Sequence, residues 1–344
     1  MSKLVTVLGG DGIGPEVTDA AVRVCKAVTT SDQIKWESAD FGGNTFLEQG
    51  SAFPERTQSL CAESSAVLLG AVGLGPLPPG AKSPELGLLE LRGALGTYAN
   101  IRPVKPFPSL YDLSPIRPEL LENVDILFVR ELTGGLYFGE KTRTADKATD
   151  MCVYTRSEVE RIVVRAGEFC RQRSGRLTSV DKVNVLATSR LWREVTTQVV
   201  AEQFADLEVE HLLVDAMAMY LLRRPADFDV IVTSNMFGDI LTDEASMLCG
   251  SLGMLPSASL GDGNGIYEPI HGSAPDIAGQ GIANPCGTFL SAAMMMRMSL
   301  DLPEAADAIE QAVEATIDAK FLTPDLGGKH TTEDMTKEVM RRLG

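Results

Sequence analysis

Two spacings of apolar residues alternate along the chain. Short, nearly continuous apolar runs at Leu4–Leu8, Ala66–Gly73, Asp125–Val129, Val180–Leu186 and Val230–Thr233 predict buried strands. Helical spacing predicts helices over Val17–Val28, Pro84–Arg92, Ser157–Gln172, Leu191–Phe204 and Ser234–Met247, and two more, Pro285–Ser299 and Glu304–Ala319, close the chain. Arg143–Val153 is polar and reads as a loop or hairpin arm. Buried strands interleaved with helices predict an α/β protein.

The connections carry information of their own. Gly9–Glu16 is a glycine-rich strand-to-helix turn with Pro15 near the helix start. Such a turn can offer backbone N–H groups to a phosphate, but Pro15 stands where the dinucleotide fingerprint needs a small residue. Leu74–Ser83 is rich in Gly and Pro and is a candidate lid. Gly261–Gly265 is a loop, and Tyr267–Gly279 crowds small residues, one His and one Asp into a stretch with little regular structure.

Charged residues inside this apolar pattern are the candidates for chemistry. Asp239 and Asp243 lie four apart, so on a helix both carboxylates leave one face. They are either a solvated acidic face or two ligands of a hard divalent cation, Mg²⁺ or Mn²⁺. Asp215 interrupts an apolar run and is either a helix N-cap or a third acidic ligand. Arg92, Arg102 and Arg130 fall at or near strand and helix ends; each is a structural ion pair or a fork for a carboxylate, and three together suggest a substrate with more than one carboxylate. Tyr137, in a Gly-rich turn, is a packing residue or a proton donor. Lys182, read as lying in a strand, is either paired to a carboxylate or fit for base work. Asp276 is suited to accept from a ribose hydroxyl and to repel a 2′-phosphate.

Composition narrows the classes. The 344 residues are enough for two domains or one large α/β unit. A net charge of −16 argues against binding a nucleic-acid backbone. No run of apolar residues is long enough to span a membrane. The six Cys are scattered without C-x-x-C spacing, and the N-terminus enters a strand with no cleavable signal, so a reducing cytoplasm is expected. The three His are too dispersed for a His-rich metal tract.

Several motifs recur in a fixed order: Gly-Asp-Gly-Ile-Gly-Pro-Glu at 10–16, Gly-Leu-Leu-x-Leu-Arg at 87–92, Ala-Asn-Ile-Arg-Pro at 99–103 and Arg-Glu-Leu-Thr-Gly-Gly-x-Tyr-Phe-Gly at 130–139. Asp-Lys-x-Asn-Val-Leu at 181–186, Val-Asp-Ala-Met-Ala-Met at 214–219, the acidic stretch at 234–247 and Glu-Pro-x-His-Gly-Ser-Ala-Pro-Asp-Ile-Ala-Gly at 268–279 complete the set. With them the chain resembles, nearly end to end, the β-decarboxylating dehydrogenases, and most closely their 3-isopropylmalate branch.

The resemblance implies a doubly wound α/β fold in two domains with an active-site cleft between them. Residues 1–97 and 250–344 would form the NAD-binding side, and 98–249 the dimer-forming side. It implies oxidative decarboxylation of 3-isopropylmalate to 4-methyl-2-oxopentanoate with NAD and Mg²⁺ or Mn²⁺. Arg92, Arg102 and Arg130 would hold the substrate carboxylates, and Asp215, Asp239 and Asp243 the metal. Lys182 would help remove the C2 hydroxyl proton and Tyr137 would protonate the enol carbon. Lys182 and Asp215 would reach in from the second subunit of a homodimer. Glu85, Leu88 and Leu89, with Val185 of that subunit, would face the C3 substituent. Gly70, Ala71, Val72 and Gly73 would line the NAD site, as would Glu268, His271, Gly272, Ser273, Ala274, Pro275, Asp276, Ile277 and Asn284. The same motifs admit a relative acting on another 3-substituted malate (a methylthioalkylmalate, tartrate or malate, or homoisocitrate), or a catalytically silent regulatory subunit. The chain departs from the family pattern at Leu74, which reads as an insertion, and at Val183, where Ala is usual.

Overall fold

The computed structural model describes residues 2–74 and 85–343, the side chain of Glu85 apart. The candidate lid therefore lies, except for Leu74, outside the described residues, as does the Glu85 side chain. The chain divides into two compact units, Met1–Thr97 with Gly250–Gly344, and Tyr98–Cys249.

The first unit contains β1 (Lys3–Gly10), α1 (Gly14–Val28), β2 (Ile34–Ser38), α2 (Gly43–Gln49), α3 (Glu55–Glu63), β3 (Ala66–Ala71) and α4 (Glu85–Ala94). The second contains β4 (Ala99–Val104), β5 (Ile126–Glu131), the hairpin β6 (Lys141–Arg143) and β7 (Ala148–Asp150), α5 (Arg156–Arg171) and β8 (Arg176–Asp181). It continues through α6 (Ala187–Gln203), β9 (Glu208–Leu213), α7 (Val214–Arg223), β10 (Val230–Thr233) and α8 (Asn235–Ser246). The chain then completes the first unit with β11 (Pro256–Leu260), β12 (Gly265–Pro269), α9 (Cys286–Met298), α10 (Pro303–Asp318) and α11 (Thr332–Arg342).

In the first unit the strand order is β2-β1-β3-β12-β11, parallel except for β11. In the second it is β4-β5-β10-β8-β9, parallel except for β4. Strands buried on both faces read as continuous apolar runs, which is why β3 and β10 stand out in the sequence. Helix α9 is apolar on nearly every side and is buried accordingly. The core of the first unit joins Leu8, Val67, Leu69 and Ile266 of the sheet to Leu91 of α4 and to Phe41 and Phe53, whose rings meet edge to face. Among the described residues, no helix is long and apolar enough to cross a membrane.

Two expectations need correction. Lys182 does not lie in a strand: β8 ends at Asp181, and residues 182–186 form a turn. The Asp181 carboxylate is gripped by Arg193 and accepts from the N–H of Val183, which turns the chain, and the Lys182 carbonyl then accepts from Val185 and Leu186. The chain also closes with three helices rather than two. Helix α11 begins in a capping box, Thr331 with Asp334, and Glu333 in its first turn pairs with Arg23 of α1.

Candidate active site

In the second unit, the candidate residues gather at the carboxyl ends of the parallel strands, where open α/β sheets generally bind ligands. Arg130 lies near the end of β5 and pairs in register with Thr233 at the end of β10, where the chain turns directly into α8. Asn100 of β4 lies opposite Arg130, and Arg102 two residues on shares that face. On α8, Asn235, Asp239 and Thr242 fall on one stripe and meet these arginines.

Arg130 is 3% exposed. Its guanidinium bonds to Asp239 through Nη1 and to the Asn235 carboxamide oxygen through Nε and Nη2. Its stem passes over Gly238, where a Cβ would come within 2.6 Å of the Arg130 Cγ, so only glycine leaves the arginine its course. Arg102 donates to Asn100 and Thr242, each at 2.6 Å, and stands 3.8 Å from Asp239 and 3.7 Å from Asp243. The Tyr137 hydroxyl donates to the second oxygen of Asp239 at 2.8 Å. Burial, and then Asp239 itself, push the Tyr137 phenol up to about 12. Burial raises the Asp243 carboxyl as well, Arg102 opposing and Asp239 reinforcing the shift.

Asp239 and Asp243 are oxygen donors one helical turn apart, one of them held above its ordinary carboxylate range, and this donor set suits a hard divalent cation. Asp215 does not complete it within the chain: among the described residues, no group of three His, Cys, Asp or Glu is disposed to hold a metal. Asp215 is the second residue of α7, past its N-cap Leu213, and is exposed rather than buried among the apolar residues around it. It accepts from Lys182 Nζ at 2.7 Å, and that bond lowers its pKa. Lys182 is thus paired to a carboxylate. Val185, beyond Lys182, is 62% exposed.

The first unit holds the other candidates. Arg92 of α4 forms an ion pair with Glu268 of β12 at 2.9 Å, both side chains largely buried. Leu88 and Leu89 are partly buried, and Leu88 packs on the core. Gly70 is wedged against the backbones of Gly9 and Gly14, so its missing side chain serves that approach of α1 to β3. Ala71 accepts from Asp11 N–H, Val72 is partly buried, and Gly73 N–H donates to the Asp11 carboxylate. That carboxylate also accepts from Gly43 and Asn44 at the start of α2, so the glycine-rich turn brings in an anion of its own.

Against the same turn lies the 270–284 segment. The Ser273 carbonyl accepts from Ile13 N–H and leaves Gly12 no room for a Cβ. Gly272, Pro275 and Asp276 are exposed; Ala274 takes a left-handed backbone, and it and Ile277 pack on Ile13 and Val17. Asn284 donates to Asp325 and caps the N–H of Cys286. His271 has a buried Nε2 without a hydrogen-bond partner, and burial lowers its pKa, which favours the neutral ring. An orphaned buried nitrogen beside exposed small residues is a fit for a polar ligand such as a dinucleotide.

The sequence reading did not single out Asn235, Glu131 or Tyr154. All three are buried polar residues that support the Arg130 and Tyr137 side chains. Glu131 accepts from the N–H groups of Thr133 and Gly134, and Tyr154 accepts from Asn235 N–H. The only signal was a polar side chain at a strand end or helix start.

Residues 4–339 match the family described as isocitrate/isopropylmalate dehydrogenase. A 3-isopropylmalate dehydrogenase of Rhodopirellula baltica is 51% identical over 99% of this chain and 97% of its own length. One of Anaeromyxobacter dehalogenans is 52% identical over the whole of both chains. Among solved structures, an isocitrate dehydrogenase from Methylococcus capsulatus superposes with a TM-score of 0.90 at 34% identity, covering 100% of this chain and 99% of that one. With a full-length family match and relatives at half identity, the chain belongs to the isocitrate/isopropylmalate dehydrogenase family.

Proposed function

We propose that the protein oxidises and decarboxylates 3-isopropylmalate to 4-methyl-2-oxopentanoate, with NAD as hydride acceptor and Mg²⁺ or Mn²⁺ as Lewis acid. The observation that carries this reading is the convergence of two buried arginines and a protonated phenol on the Asp239–Asp243 pair. Arg102 and Arg130 are assigned to the substrate carboxylates through charge-assisted bonds, and Arg92 is a third arginine assigned the same role. Asp239 and Asp243, joined by Asp215 of a second subunit, hold the cation. A cation held there would supply Lewis acidity at the substrate's C2 oxygen. Lys182 of that second subunit, oriented by its Asp215 partner, would help remove the C2 hydroxyl proton during the oxidation. After CO₂ departs from the β-keto acid, Tyr137 returns a proton to the enol carbon, and its high pKa keeps that proton available at neutral pH.

The dinucleotide is assigned to Gly70–Gly73, Glu268 and the 271–277 and 284 positions, with Asp276 exposed to meet a ribose hydroxyl. NAD should be preferred over NADP by at least tenfold, about 1.4 kcal/mol. A homodimer is favoured by large apolar side chains exposed on the second unit: Met219 and Leu222 of α7, Ile240 of α8, and Val153, Val185 and Leu186. Leu88 and Leu89, with Val185 of the second subunit, are assigned to an apolar wall for the isopropyl group, worth roughly 2 kcal/mol at about 0.8 per carbon.

The test is a panel of kcat/KM values for 3-isopropylmalate, isocitrate, homoisocitrate, malate, tartrate and a methylthioalkylmalate. Turnover should need NAD and Mn²⁺ or Mg²⁺, vanish with a chelator, and be greatest for 3-isopropylmalate. A charged-arm substrate outperforming it would overturn the apolar wall. A folded homodimer inert towards every member would point to a silent subunit, against which the presence of Tyr137, Lys182 and the three Asp already argues.

A further inference from the structure

Asn235 is 1% exposed, and both ends of its carboxamide are engaged. Its oxygen accepts from Arg130 Nη2 at 2.7 Å and Nε at 3.2 Å, and its nitrogen donates to the Gly134 carbonyl at 3.3 Å. Gly134 begins the turn that carries Tyr137. Arg130 in turn bonds to Asp239, and Asp239 accepts from the Tyr137 hydroxyl. The links close a ring: Asn235 to Arg130, to Asp239, to Tyr137, and back along the turn through Gly134. The turn is also seated from below and behind. Tyr154 lies where a Cβ on Gly134 or Gly135 would come within 2.6 or 2.5 Å of it, and Glu131 accepts from Thr133 and Gly134 N–H.

We propose that Asn235 is a positioning residue of the reaction, fixing Arg130 and Tyr137 relative to one another by accepting from the first and donating to the carbonyl at the root of the second's turn. The proposal rests on the functional reading above for the roles of Arg130 and Tyr137. Its chemistry is specific to a carboxamide of this length. An aspartate keeps the acceptor for Arg130 and loses the donor to Gly134. An alanine loses both. A glutamine adds a methylene to a side chain that is 1% exposed and shifts the carboxamide from both partners.

The test uses Asn235→Asp and Asn235→Ala, each alone and combined with Tyr137→Phe, in the intact enzyme with 3-isopropylmalate, NAD and Mn²⁺. Asn235→Asp should lower kcat roughly 10- to 100-fold, the scale of a misplacement of about 1 Å, with KM within a few-fold of wild type. Asn235→Ala should lower kcat similarly and also raise KM, because Arg130 has lost its carboxamide acceptor. Either change combined with Tyr137→Phe should reduce kcat no further than Tyr137→Phe alone, the signature of residues acting through one another.

A readout independent of turnover is the NMR signal of ring-labelled Tyr137, identified by its loss in Tyr137→Phe; it should shift in both Asn235 variants. Losses that multiply with Tyr137→Phe, an unmoved Tyr137 signal, or variants that melt lower yet keep wild-type kcat and KM would overturn the proposal. If the wild-type enzyme turned over no member of the substrate panel, the functional reading would fail on its own, and the Tyr137 signal would still decide whether Asn235 positions the phenol. Should the alanine variant not fold, the near-isosteric aspartate variant carries both readouts.

Discussion

The hydroxyl of Tyr137 donates to one oxygen of Asp239 while Arg130 bonds to the other. A carboxylate held this way raises the phenol it faces, and together with burial it brings Tyr137 to about 12. A folded pKa above the unfolded value means that the contact's contribution to stability is full below about 10 and is lost as pH climbs towards 12. In Asp239→Asn the hydrogen bond to a charge disappears and burial remains, so the Tyr137 titration should move down but stay above 10. Ultraviolet difference titration against Tyr137→Phe isolates this phenol from Tyr154 and Tyr267, which burial also raises. A titration that rises in Asp239→Asn would contradict the assignment.

Glycine 238 offers a contrast of sign within helices. In an open helix position Gly→Ala stabilises by up to about 1 kcal/mol. Gly93 is such a position, with nothing within 4 Å of an added Cβ. At Gly238 the same methyl meets the Arg130 stem, and an overpacking cost of about 1–3 kcal/mol applies. Gly93→Ala should therefore leave the melting temperature equal or higher. Gly238→Ala should lower it and raise KM for the acid substrate about tenfold or more by displacing Arg130. Equal behaviour of the two variants would refute the steric argument.

Asp11 is a structural anion rather than a ligand for one. It is fully buried and accepts N–H groups from Gly43, Asn44 and Gly73. Asp11→Ala leaves two buried donors and a part-buried one without their acceptor and should destabilise the protein by about 2–5 kcal/mol. The urea midpoint reads this directly, and an unchanged midpoint would show that water replaces the carboxylate without cost.

Lys182 and Asp215 pair on an exposed turn and helix start of the second unit. If the pair serves a neighbouring subunit's site, mixing inactive Lys182→Ala with inactive Asp239→Ala chains should restore activity in the heterodimer. One site there draws its lysine from the Asp239→Ala chain and its Asp239–Asp243 pair from the other. No recovery after verified subunit exchange would count against sites shared between subunits.

Much of this was readable from spacing alone. Asp239 and Asp243 fall on one face of α8 because the helix period is 3.6, and Val230–Thr233 is a strand because β-branched runs of that length pack in parallel sheets. Lys182 was misplaced because Val183, Val185 and Leu186 extend the apolar run of β8, whereas the Asp181 side chain, an interaction no periodicity registers, ends it. Asp215 interrupts an apolar run, but that run divides between the core at Met217 and the surface at Met219, so the interruption says little about burial. Helix α11 escaped notice because its signal is a polar capping box, not an apolar stripe. The supports of Arg130 and Tyr137 were least legible: Asn235, Glu131 and Tyr154 come from three separate segments that only the folded sheet brings together.

The first unit is written in two instalments, before and after the second. Strand β3 pairs with β12 at Ala66 and Gly265, so during synthesis one edge of β3 waits for its partner while about 200 residues emerge, on the order of 10–40 s at ordinary elongation rates. The second unit, contiguous in sequence, can finish its own sheet in that interval. An apolar strand edge held open on the ribosome is a template for mispairing with other nascent chains. The demand for chaperones should accordingly fall on residues 1–97 and ease once β12 is made, a timing that ribosome-bound chains of graded length would reveal through protease resistance.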